Sequence, residues 1–169
     1  MQCGQKTFLA SWPPEKELMR IRIERLVPDP ILPEPCCLGI ISRVLRDEGF
    51  SGYDLTLVLA DSRLLRRLNR RFRGIDRPTD VISFALLEGT PFPAPCRELG
   101  DVYISVPRAR RQARQYRVTP QEELARLMIH GVLHLLGYDH IKPAQARAMR
   151  RREERHLGAC RLLFKTMSN

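Results

Sequence analysis

Between Arg20 and Leu26 charged and apolar residues alternate, with Ile21 and Ile23 on one side, the period of a half-buried strand. Pro28, Pro30, Pro33 and Pro35 follow as a stiff connection. Leu38, Ile41, Val44 and Leu45 then recur at helical spacing up to Gly49 and predict an amphipathic helix, with Cys36 and Cys37 as small apolar filler in its first turn. Tyr53 to Ala60 reads as a second strand. A strand, helix, strand run of this length favours a parallel pair with a right-handed crossover. Asp61 is a natural N-cap for a second helix whose buried stripe is Leu64, Leu65, Leu68 and Phe72. The opposite face carries Arg63, Arg66, Arg67, Arg70 and Arg71, with Arg73 at the exit and a turn at Gly74.

Further strands are expected at Val81 to Leu86 and Asp101 to Val106, joined by a Pro-rich loop from Gly89 to Gly100. So short a connection makes them antiparallel neighbours. Pro107 opens a basic helix with Arg108, Arg110, Arg111, Arg114 and Arg117. Thr119-Pro120-Gln121-Glu122 has the form of a capping box with proline at the first helical position. A last helix from Pro143 is crowded with Arg147, Arg150, Arg151, Arg152 and Arg155. Residues 1–18 show no period and contain Pro13-Pro14, so they are expected to form an irregular extension, with residues 19–169 as a single domain. The element order, about five helices and a small sheet, is compatible with an α+β fold.

One stretch carries chemistry. In HGVLHLLGYDH, His130 and His134 stand four apart in a run that is apolar nearly all round, so two imidazoles project from one face of a buried helix. Gly137 supplies a left-handed stop, and His140 arrives from the turn. Three neutral nitrogens can converge on a zinc about 2.0–2.1 Å from each, leaving the fourth position to water. A histidine on an apolar face is ordinarily a core residue with an ordinary hydrogen-bond partner. Here each imidazole needs a partner, and no run of acids sits nearby in sequence. His156 lacks this spacing and is left outside the site. The pattern H-x3-H-x2-G-x2-H also occurs in zinc proteases, where the residue after the first His is a Glu base. In this chain that residue is Gly131, which cannot carry a proton and whose use inside a helix is close approach of another group.

Charge narrows the partners. A net charge of +10, mostly arginine, with a pI near 10.0, points to an anionic ligand suited to the planar guanidinium fork. Five cysteines without a C-x-x-C pair do not form a disulfide framework and fit a reducing cytoplasm. No stretch has the length and apolarity of a signal peptide or a membrane span.

HGVLHLLGYDH, NRRFRGIDRPTDVISF (Asn69 to Phe84) and ELGDVYIS (Glu98 to Ser105) together resemble the YbeY family of bacterial rRNA maturation factors, which are metal-dependent endoribonucleases. The resemblance implies a small mixed sheet, mostly parallel with one antiparallel strand, and one Zn²⁺ held by His130, His134 and His140. It implies that Arg73 lies at the site and serves activity. It also implies single-stranded rRNA as substrate, the ribosome or its proteins as partners, and a role in rRNA maturation and ribosome quality control. Ala85 stands where family members commonly have proline, away from any implied ligand. Asp139 and Tyr138 are candidates for supporting the ligands; Asp139 would orient a histidine, act as the missing base, or cap the helix end. Hydrolysis and attack by the RNA's own 2′-OH remain open. Two rival readings stand beside this one. The first is a zinc protease, disfavoured by Gly131. The second is a non-catalytic ribosome-assembly factor stabilised by zinc, which needs a fourth protein ligand such as Cys96 or Cys160.

Overall fold

Parallel pairing joins β1 (Ile21–Arg25) to β2 (Asp54–Ala60) and β2 to β4 (Glu98–Ser105), while β3 (Val81–Ala85) runs antiparallel to β4. The sheet order is β1-β2-β4-β3, as the mixed, mostly parallel arrangement requires. This computed structural model describes residues 20–28, 31–86 and 97–167. The expected extension over residues 1–18 and residues 89–96 of the Pro-rich loop lie outside that set. Five helices accompany the strands: α1 (Glu34–Asp47), α2 (Ser62–Arg73), α3 (Val106–Tyr116), α4 (Pro120–Leu135) and α5 (Pro143–Met167).

Period-2 alternation divides the sheet between two layers. Leu55, Leu57, Leu59, Val102 and Ile104 face α1 and α4 in the main core, whereas Val58 and Ala60 meet Leu65 of α2 on the other side. α4 is central: Leu124, Leu127, Met128, Ile129, Val132 and Leu133 are all buried, between the sheet, α1, α3 and α5. Full burial of each such side chain contributes roughly 1.5–3 kcal/mol, so the histidine helix is held rigidly by its own apolar surround.

Local signals place the helix starts. The Asp61 carboxylate accepts from Leu64 N at 2.8 Å, and the Thr119 hydroxyl accepts from Glu122 N at 3.1 Å. Only half of the expected capping box forms among the described residues, because the Glu122 side chain accepts from Arg161 of α5 instead. Three other expectations change. Phe72 is 58% exposed; the buried position one turn earlier is Asn69, whose Nδ2 donates to the Arg77 carbonyl at 2.8 Å. β4 begins at Glu98 rather than Asp101, since Gly100 pairs with Ala85 and Leu86 N donates to Leu99 O. Arg117 follows α3 as its left-handed C-cap, with φ 57°, rather than lying in the helix. No helix among the described residues is long and apolar enough to cross a membrane.

Candidate metal centre

The site grows out of the end of α4. His130 and His134, four apart, lie on one side of the helix, half-buried. Gly137 then adopts φ 81°, a conformation that other residues resist, and Tyr138 N donates back to Leu133 O at 3.0 Å. This reversal brings His140 across the face of the other two, its ring centroid 5.1 Å from that of His134 and 5.7 Å from that of His130. One nitrogen from each imidazole lies within 4.8 Å of the others, so the three can hold a metal ion.

Geometry between the first two rings fits that use. His130 Nε2 and His134 Nε2 are 3.1 Å apart, close to the separation of about 3.3 Å that two nitrogens sharing a tetrahedral ion at ~2.05 Å would have. His130 Nδ1 meets the Glu153 carboxylate of α5. With its Nδ1–H donated there, His130 presents the Nε2 lone pair toward His134. Burial, followed by the fields of His130 and His140, drives the His134 pKa down to about 4; Asp139 opposes this and Arg73 adds to it. His134 is therefore neutral at pH 7, with a lone pair available. Among the described residues no fourth histidine, cysteine or carboxylate joins the group. Cys160 is buried on α5 apart from it, and Cys96 lies outside the described residues.

Position 131 explains the departure from the protease pattern. A Cβ on Gly131 would stand 2.4 Å from Val102 Cγ1 and 3.3 Å from both Ser83 Oγ and Val81 Cγ2. Ser83 Oγ also donates to the Gly131 carbonyl at 3.0 Å. Glycine is there because strands β3 and β4 press on the helix, and a glutamate base has no room.

Behind the turn sits a buried carboxylate that local sequence gave no reason to choose. Glu48, just past α1, accepts from Tyr138 Oη at 2.9 Å, Arg152 Nη1 at 2.6 Å and His156 Nε2 at 2.9 Å. Burial would raise its pKa, but the hydrogen bonds from His156, Tyr138 and Arg152 outweigh that and hold it below the usual carboxylate range. Tyr138 thus anchors the turn between the second and third histidines, and His156 serves the same anchor. Asp139 accepts from its neighbour, His140 N, at 2.6 Å, a bond within the turn itself. Glu153 was equally inconspicuous; the available signal was a pair of acids, Glu153 and Glu154, inside an otherwise arginine-rich helix.

Arg73 ends α2 as an exposed residue near enough for its charge to act on His134. Gly74 caps the helix immediately after it. The other arginines of that helix, Arg63, Arg66, Arg67, Arg70 and Arg71, are also exposed, so α2 presents a strongly cationic surface.

Comparison with known proteins agrees with this geometry. The family model described as Endoribonuclease YbeY matches residues 36–161. The Endoribonuclease YbeY of Pelotomaculum thermopropionicum is 46% identical over 131 residues, covering 73% of this chain and 86% of that protein. That of Moorella thermoacetica is 45% identical over 128 residues, covering 69% and 82%. A solution structure from Thermotoga maritima superposes with a TM-score of 0.62 at 25% identity, over 88% of this chain and 92% of that one. A family match over most of the chain, with Arg73 and all three histidines inside it, together with relatives of this identity and coverage, shows that the chain belongs to the YbeY family of endoribonucleases.

Proposed function

We propose that the protein is a zinc-dependent endoribonuclease that cuts single-stranded rRNA during ribosome maturation and quality control, in the cytoplasm and in association with the ribosome. The observation that carries this reading is the convergence of His130, His134 and His140, with no fourth ligand among the described residues, beside the arginine-bearing end of α2. Three imidazoles suit zinc, and a three-ligand set keeps one position open. When bound there, zinc supplies Lewis acidity toward a phosphoryl oxygen and toward water.

The remaining roles belong to side chains of this chain. His130, held by Glu153, and His134, kept neutral by burial, present lone pairs without first losing a proton. Arg73 places a permanent cation where charge develops on the scissile phosphate, and its fork matches two phosphate oxygens. The exposed arginines of α2 track the backbone of a single strand without reading its sequence. rRNA as substrate and the ribosome as partner rest on family membership.

A protease reading finds no general base, because Gly131 faces the sheet at a position with no space for a side chain. A purely structural zinc would need a fourth protein ligand. The test is to offer the purified protein a labelled single strand, its duplex and casein. Cleavage of the single strand alone supports the proposal; cleavage of casein, or of none, refutes it.

A further inference from the structure

Next to the metal centre a cleft of about 300 Å³ is lined by Asn69, Arg73, Ile75, Arg77, Pro78, Thr79 and Arg108. Three of its seven lining residues are arginines, and none is an acid. Several arginines elsewhere find carboxylates: Arg66 with Asp76 at 2.8 Å, Arg126 with Glu123 at 2.6 Å and Arg152 with Glu48 at 2.6 Å. Among the described residues Arg73, Arg77 and Arg108 make no such pair. Arg108 Nε is moreover buried without a hydrogen-bond partner. Clustered cations and a buried, unmatched N–H both cost free energy, which a bound anion would offset.

The walls are fixed in advance. Asn69, itself buried, holds the Arg77 carbonyl at 2.8 Å, and Arg77 N donates to Ile75 O at 3.0 Å. Thr79 Oγ1 lies 3.2 Å from the Asp80 carboxylate, which Gln112 of α3 also holds at 2.8 Å. Arg108 stands on the first turn of α3, whose Ser105 cap meets Ser62 Oγ at 2.8 Å. Arginines from three separate segments therefore line one space whose walls are held before any ligand arrives, which lowers the entropic cost of recognising a phosphate.

We propose that this cleft is a phosphate subsite, in which Arg77 and Arg108 grip a backbone phosphate of the RNA strand adjoining the one presented to the three histidines. Arg73, shared by cleft and metal centre, joins the two. The inference rests on the endoribonuclease reading for the identity of the strand, but the recognition of phosphate is independent of cleavage.

The test uses the zinc-loaded full chain and the Nε–Hε proton–nitrogen signal of Arg108, assigned in the wild-type protein by through-bond correlation to the Arg108 backbone. Titration with adenosine 5′-monophosphate should move that signal saturably, while adenosine should leave it in place. Arg108→Gln should weaken binding of a short single-stranded RNA about 10-fold, the scale of one charge-assisted contact. Arg111→Gln, on the exposed side of the same helix, should weaken it by about twofold or less. A signal that stays still, or that moves equally with adenosine, overturns the subsite even if Arg108→Gln fails to fold. If the protein cleaves no RNA yet the signal moves with the nucleotide alone, the subsite stands and the endoribonuclease reading falls. If RNA is cleaved while the Arg108 signal stays still, the endoribonuclease reading stands and the subsite falls.

Discussion

The Tyr138 hydroxyl, between the second and third histidines of the metal motif, donates a 2.9 Å hydrogen bond to Glu48, ninety residues earlier in the chain. That bond ties the turn carrying His140 to the end of α1. Arg152 and His156 of α5 complete the anchor, so one buried carboxylate fastens three segments around the site.

Replacing Glu48 by Gln should therefore destabilise the fold by about 3 kcal/mol, since Arg152 and the buried His156 lose a charged acceptor. The sign of its pH dependence follows from the lowered pKa. Glu48 contributes stability that is fully present above its ordinary value of 4.5 and is lost as pH falls through its lower folded value. Urea melts of both proteins across the acid range should show a steeper loss in the wild type than in Glu48→Gln.

Gly131→Ala should lower stability by about 1–2 kcal/mol. The clash with Val102 Cγ1 exceeds the gain in helix propensity, which is about 1 kcal/mol. Gly131→Glu should fail to fold rather than acquire peptidase activity. Chemical denaturation of the alanine variant and soluble yield of the glutamate variant check both statements.

Much of this was legible in the chain. Asp61 and Thr119 cap the helices that their positions predict, and the close spacing of β3 and β4 gave their antiparallel pairing. The histidines converge because an i, i+4 pair followed by a glycine stop is local geometry. Glu48 and Glu153 were not legible, because each meets its histidine partner only through the packing of α5, and periodicity carries no record of tertiary neighbours. Phe72 shows a different limit. Helical spacing marks it as buried, yet Asn69 takes the inward position to hold the Arg77 loop, and the Phe72 ring rests edge-on against Phe84 at 4.8 Å near the surface.

Glu153→Ala should reduce zinc affinity about 10- to 100-fold while leaving the three ligands in place. Competition with a chromophoric chelator measures this, and circular dichroism should show an unchanged fold. An unaltered affinity would mean that Glu153 does not orient His130.

Arg73→Ala should lower the single-turnover cleavage rate about 10²-fold or more with zinc content unchanged, the scale of losing one preorganised donor at the transition state. Arg67→Ala, on the exposed face of the same helix, should behave as an ordinary phosphate contact. Equal rates at saturating enzyme would place Arg73 in the general basic surface.

RNA cleavage should depend on a single ion held jointly by His130, His134 and His140. The cleavage rate of a labelled single strand by chelator-stripped protein, followed as zinc is returned, tests that dependence without an intermediate assumption. Activity should be absent at the start, rise linearly and level off at one equivalent of zinc per chain, and the His134→Ala protein should show no such recovery. Full cleavage by the stripped protein, or recovery in His134→Ala equal to wild type, would refute the three-histidine centre as the seat of the reaction.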